Sequence, residues 1–238
     1  MRLGLYYDLR NPGGARSWAR VYAAALDRIG WADRAGIGAI WVTEHHGFAD
    51  GYLPAPLTFC AAIATRTSRA RIGTAVVVSP LIPRPLPVWV GARGPRGARL
   101  AGRTGAGLLW IGRDLFESYL AGLAQADPPA LPRVGGLANV FLADDPDRVL
   151  AAVREHGRRN RASYEDAGAA GRETAFPKLR ILTPAAAAAW ISELCAGLPV
   201  TDVFCFGDIG GLDDDLVERH TELAVRELAP VLAEEGEL

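Results

Sequence analysis

The chain has 238 residues, enough for one large α/β domain with a sizeable core. Half of its residues are hydrophobic, 22% are charged and the formal charge is -1. That balance gives no electrostatic case for nucleic acid or an anionic membrane as a partner.

Residues 2–7 read as a first strand, with Asp8 at its carboxyl end. Asn11-Pro12-Gly13-Gly14 is a loop, and Ser17 is an N-cap. Trp18, Val21, Tyr22, Ala25, Leu26 and Ile29 then recur at helical spacing, and Gly36 or Gly38 ends that helix. The run Ile40-Trp41-Val42 is a buried strand that stops abruptly at Thr43-Glu44-His45-His46-Gly47. Strand, helix and strand with short links make a βαβ unit. Residues 48–55 form a loop long enough to cover a pocket, and Pro56 opens a helix with Leu57, Cys60, Ala61 and Ala64 on one face. Residues 71–78 are a third strand, apolar enough for a parallel sheet covered on both sides.

The rhythm then breaks. Residues 79–87, starting at Ser79, hold four prolines and cannot be a helix, yet the next segment, Val88-Trp89-Val90, is again a strand. A parallel crossover needs a dozen or more residues, so this junction is abnormal. Gly91-Ala92-Arg93-Gly94-Pro95-Arg96-Gly97 leads into a short helix carrying Ala98, Leu100 and Ala101. Residues 107–111 and 137–143 are further strands, separated by a Pro-rich loop around Pro128 and Pro129. Asp145 caps a helix with Pro146 at its first position and Val149, Leu150 and Val153 along it, which dissolves into an Arg- and Gly-rich stretch. Thr183 starts a helix through Trp190, Ile191 and Leu194, and residues 203–206 are a last core strand. A closing helix with Leu216, Leu223, Ala224 and Leu228 should stop near Pro230. No repeat or linker divides the chain, so one domain over residues 1–238 is expected.

Cys60, Cys195 and Cys205 match no zinc or CxxC spacing and stand among apolar residues. They read as buried reduced thiols, which favours the cytoplasm. The amino-terminal apolar run is too short for a signal peptide, and no stretch is long enough to span a bilayer.

In parallel α/β proteins, polar residues at the carboxyl ends of strands face the functional side. His45 is therefore the first candidate for acid/base chemistry, since imidazole donates or accepts a proton near neutral pH. A metal site at Glu44-His45-His46 is disfavoured, because consecutive strand residues point to opposite faces. The segment Gly91-Ala92-Arg93-Gly94-Pro95-Arg96-Gly97 has the makings of a phosphate cradle. Its glycines allow close backbone approach, the helix start aims amides at an anion, and Arg93 and Arg96 add charge. Asp8, Ser79, Arg113 and Asp208 stand near other strand ends, and Phe48 and Tyr52 form either a lid or packing on the rim.

The order of these pieces resembles the bacterial luciferase-like monooxygenase family, which includes deazaflavin-dependent enzymes. The resemblance is carried by Thr43-Glu44-His45-His46 and by the helix from Pro56 leading into Ser68-Arg69-Ala70-Arg71-Ile72-Gly73-Thr74. Pro87-Val88-Trp89-Val90-Gly91-Ala92, before Ala98-Arg99-Leu100-Ala101, and the last strand and helix complete it. It implies a (β/α)8 barrel with FMN or a deazaflavin over the carboxyl ends of the strands, here shortened by a mid-barrel block lost between about residues 78 and 87. The strands beginning at Arg2, Ile40, Arg71 and Val88 should then neighbour one another in that order. By the same resemblance His45 is the acid/base and Glu44 its orienter. Gly91, Ala92, Arg93, Gly94, Arg96 and Gly97 cradle the cofactor phosphate, with Ser79 nearby, although the family's usual small hydroxyl residue is missing from the cradle. The expected activity is oxidation or hydride transfer on a small organic substrate, in a homodimer or a heterodimer with a homologue that covers the exposed strand edges. Two readings stay open beside it, a non-catalytic flavin-binding protein or accessory subunit, and cofactor-free chemistry.

Overall fold

The computed structural model describes residues 1–75, 88–164 and 179–235. Seven of its strands form one all-parallel sheet: β1 (Arg2–Tyr7), β2 (Ala39–Val42), β3 (Arg71–Thr74), β4 (Trp89–Val90), β5 (Gly107–Leu109), β6 (Val134–Leu137) and β9 (Val200–Phe206). Their order is β3-β2-β1-β9-β6-β5-β4, so the first and last strands lie side by side at its centre. Two shorter strands, β7 (Val140–Leu142) and β8 (Arg180–Leu182), pair in parallel beside it.

Helices fill the links: α1 (Trp18–Arg34), α2 (Pro56–Ala64), α3 (Pro95–Arg103), α4 (Arg113–Leu123), α5 (Pro146–Tyr164), α6 (Pro184–Cys195), α7 (Asp214–Leu223) and α8 (Ala229–Glu235). The expected caps are present: Ser17 Oγ accepts from Arg20 N–H, and Asp145 Oδ1 from Asp147 and Arg148 N–H. The main core lies between the outer face of β1, β2 and β9 and helices α1, α2, α6 and α8, where Leu5, Ile29, Ile40, Ile63, Ile191, Cys205 and Leu232 are buried. Cys60, Cys195 and Cys205 are free thiols.

The sheet is curled into an open half-barrel. Trp41 on β2 and Trp89 on β4, second and last in the strand order, meet edge to face across its interior, with centroids 6.3 Å apart. Trp41 also stacks on Phe204, and Phe204 on Tyr6, each at 5.3 Å. Such ring pairs each contribute about 0.5–1.5 kcal/mol beyond area burial. Glycines make the room: a Cβ on Gly107 would stand 2.5 Å from the Trp89 ring, and one on Gly73 3.1 Å from Trp41. The interior is thus a packed layer of rings, and the polar strand ends lie at its rim.

Several expectations are corrected. Among the described residues the strand at Trp89 does not pair with the Arg71 strand; the two are opposite edges of the sheet. Strand β3 is accordingly part-exposed rather than covered on both sides. Helix α2 buries Phe59 and Ile63, leaving Leu57 and Ala61 exposed. The strand expected over residues 137–143 is two strands, β6 joined to β9 and β7 joined to β8. Helix α4 and strand β8 were not anticipated, and α5 runs on to Tyr164. The closing helix passes through Pro230 to Glu235. A π-helical stretch over Ala224–Leu228, with Ala229 N–H bonded to Ala224 O, widens the turn that the proline ring would otherwise clash with. The Pro-rich junction itself, Ser79 included, lies outside the described residues.

Candidate functional site

The candidate site is built from the carboxyl ends of β1, β2, β4 and β9. After β1 the chain turns sharply at Leu9, a non-glycine residue at φ +54°, with Asp8 and Arg10 buried on either side of it. A strained backbone of this kind persists where surrounding structure over-determines it. Arg10 Nε–H donates to Asp50 Oδ2 at 2.8 Å in an ion pair that is almost fully buried. Asp208, at the end of β9, accepts from Arg28 Nη2 at 3.1 Å, and Arg28 and Arg16 both reach Asp214. Four aspartates (Asp8, Asp50, Asp208, Asp214) thus share this cluster with three arginines (Arg10, Arg16, Arg28), leaving one carboxylate in excess. That excess rests on Asp8. Its oxygen takes only a long contact from Arg10 N–H, 3.4 Å, and burial, against the pull of Arg10 and reinforced by Asp208, pushes its pKa up to about 7. Asp208 is also raised by burial, but Arg28 favours its ionised form.

At the end of β2, Thr43 N–H extends the ladder to Tyr7 O, and the chain then leaves the sheet. His45 is half-buried, and its N–H donates to Leu53 O at 3.1 Å. Its ring stacks on Tyr52, with centroids 4.3 Å apart, and meets Phe48 edge-on at 5.1 Å. Tyr52 is buried, and Leu53 N–H donates to Asp8 O, so this loop is a fixed wall rather than a lid. Burial lowers the His45 pKa, and the charges of Arg10 and Arg93 lower it further. Glu44 Oε1 is held by exposed His46 Nε2 at 2.8 Å, while the Glu44 backbone hydrogen-bonds the His45 imidazole.

After β4 comes the expected cradle. Gly94 is the N-cap residue of α3 in extended conformation, Pro95 is the first helical residue, and no side chain caps the start. A Cβ on Gly91 or Gly94 would meet nothing within 4 Å, while Ala92 is buried and packs under Gly97. Arg93 and Arg96 are exposed at this open helix start. The charge of Arg93 lowers the His45 pKa, so the start of α3 lies within electrostatic reach of the β2 strand end. Arg113 starts α4 but donates to Ala196 O at 2.6 Å, apart from this group. Arg10, Asp50 and Arg28 were not anticipated; a charged residue in the buried sequence Tyr7-Asp8-Leu9-Arg10 was the available signal.

A parallel, curled half-barrel sheet with polar side chains gathered at the carboxyl ends of its strands defines an architecture of the TIM-barrel type. The chain belongs to the luciferase-like monooxygenase family, whose model matches residues 1–83 and 79–192. The two matched stretches overlap at residues 79–83, in the Pro-rich junction. Over 80 residues the chain is 31% identical to the oxygenase component of the flavin-dependent trigonelline monooxygenase of Acinetobacter baylyi, a match that covers 34% of this chain and 22% of that relative. In fold it is similar to a monooxygenase of Streptomyces bottropensis, with TM-score 0.78, 17% identity and 97% and 99% of the two chains covered. It is also similar to the oxygenating constituent of the 3,6-diketocamphane monooxygenase of Pseudomonas putida, solved with FMN, with TM-score 0.65, 15% identity and 97% and 98% covered.

Proposed function

We propose that the protein is a flavin-dependent oxidoreductase that binds FMN over the carboxyl ends of its strands and acts on a small organic substrate. The observation that carries this reading is the uncapped, glycine-lined start of α3, with half-buried His45 within electrostatic reach of its Arg93. The residues present fit a phosphate. Backbone amides of Arg96 and Gly97 stand free of side-chain caps at the positive end of the helix, and Arg93 and Arg96 supply charge-assisted donors. When bound, the flavin supplies the redox chemistry.

The chain's own residues hold the phosphate, exclude water and manage a proton. Phe48 and Tyr52 shield one side of His45, and its lowered pKa keeps the imidazole neutral at neutral pH. A neutral imidazole can accept a proton from a substrate hydroxyl or donate one from its N–H. Asp8, buried with a pKa near 7, can keep a second proton behind the same wall. Glu44 steadies His46 at the rim. A reductase that supplies reduced flavin and a second copy covering the open β3 and β4 edges are the expected partners, in the cytoplasm.

Titration of the purified protein with FMN and with a deazaflavin phosphate, followed by absorbance, tests this reading. FMN should bind at micromolar concentration or tighter, and His45→Ala should leave that binding nearly intact while abolishing turnover. Failure to bind either cofactor would remove the proposal. Binding with turnover absent in both proteins would favour a flavin carrier.

A further inference from the structure

We infer that Arg10 is a positioning residue for His45, acting through the Tyr52 ring, and this rests on His45 being the acid/base of the proposed function. The observation is a stack of three layers. The Arg10 guanidinium lies 4.7 Å from the Tyr52 centroid and 5.6 Å from that of Phe48, and those two rings hold the His45 imidazole at 4.3 and 5.1 Å. Phe48 and Tyr52 also meet each other at 5.3 Å, so His45, Phe48 and Tyr52 form a closed aromatic triad with the cation behind it.

Arg10 is itself held on every side. Its Nε–H is bound to Asp50, whose backbone carbonyl accepts from Asn11 N–H. Leu9 at φ +54° turns Arg10 inward, and Gly210 lies so close that a Cβ there would stand 2.5 Å from the Arg10 carbonyl oxygen. A cation fixed over a ring is worth more when desolvated, and here both partners are almost fully buried. The arrangement does two things for His45. It adds ring packing to the hydrogen bond by which the Glu44 backbone already holds the imidazole. It also places a positive charge behind the ring, which opposes protonation. The charged and titratable groups facing His45 are Arg10 from the β1 end, Arg93 from the start of α3 and Glu44 from its own strand; Asp50 and Asp8 lie behind Arg10.

The test is the titration of the His45 imidazole by nuclear magnetic resonance in the cofactor-free protein, whose four histidines are assigned with His45→Gln. In Arg10→Gln the His45 midpoint should move up toward the ordinary histidine value, and Tyr52→Leu should move it in the same direction. Tyr52→Phe, which keeps the ring, should hold the wild-type midpoint. Should Arg10→Gln fail to fold for want of a partner for Asp50, the double variant Arg10→Gln/Asp50→Asn removes the orphan charge and is read in the same way. A His45 midpoint unchanged in the Arg10 and Tyr52→Leu variants, whatever their melting temperature, would overturn the inference. Because no flavin is present, that outcome is independent of whether FMN binds.

Discussion

Asp8→Asn should remove a pH dependence from the stability of the protein. Asp8 is buried among Arg10, Asp208 and Asp50, and its carboxyl is pushed up to about 7 from an ordinary value of 3.8. Between those values the folded chain holds a proton that the unfolded chain has released. Stability therefore falls as pH rises, by up to about 1.4 kcal/mol per pH unit. Integrated from pH 5 to pH 8, the loss is about 2.5 kcal/mol. Asparagine keeps the shape of the side chain and does not titrate. Urea unfolding followed by tryptophan fluorescence at pH 5, 6, 7 and 8 would give the stability of both proteins. The variant should gain on the wild type by about 2.5 kcal/mol across that range. Groups that do not face Asp8 act equally in both and cancel in the difference, while Asp208 and Asp50, coupled to it, contribute to that difference. Parallel curves for the two proteins would show that Asp8 is ionised throughout and that the charge excess sits elsewhere.

His220 should produce the opposite slope. It is fully buried, accepts from Leu142 N–H at Nδ1 and donates from Nε2 to Phe206 O, and burial lowers its pKa to about 4. Stability is then complete above about 6.5 and lost as pH falls, by about 2 kcal/mol between pH 7 and pH 5. His220→Gln should erase that slope while costing about 1–3 kcal/mol at pH 7 for each backbone group left unsatisfied, read by the same urea curves in the Asp8→Asn background. Gly122→Ala should cost about 1–3 kcal/mol in thermal or urea unfolding, since its Cβ would overlap the Arg99 carbonyl oxygen and push α3 and α4 apart. Displacing α3 should also weaken FMN binding, because that helix carries the cradle.

Strands β1 and β2, helix α1 and the start of α3 were legible because each rests on local chemistry: a 3.6-residue stripe, a β-branched run, a cap, a glycine-rich helix start. What depends on distant partners was not. Helix α2 is apolar nearly all round, so its sequence gives no contrast from which to pick the face carrying Phe59 and Ile63. The run through residues 137–143 is continuous in sequence, yet Leu137 ends β6 beside β9 while Val140–Leu142 form β7 beside β8. Pro230 reads as a stop, and only the π-helical turn before it lets the helix continue. At the site, His45 was visible from its place at a strand end, whereas the ion pair of Arg10 with Asp50 spans 40 residues and leaves no local pattern. Glu44 bonds the exposed His46 with its carboxylate and His45 through its backbone, a division of partners that sequence adjacency does not reveal.

The central claim is that the start of α3 holds the phosphate of a flavin whose ring reaches His45. The most direct measurement is a parallel titration with FMN and with riboflavin, which lacks the phosphate, for wild type and Arg93→Ala. Wild type should prefer FMN by roughly tenfold or more, and Arg93→Ala should weaken FMN by about 1–3 kcal/mol, the range for charge-assisted hydrogen bonds. Riboflavin binding should be nearly unchanged by the substitution. Equal affinity for FMN and riboflavin, or an FMN affinity indifferent to Arg93, would contradict the account.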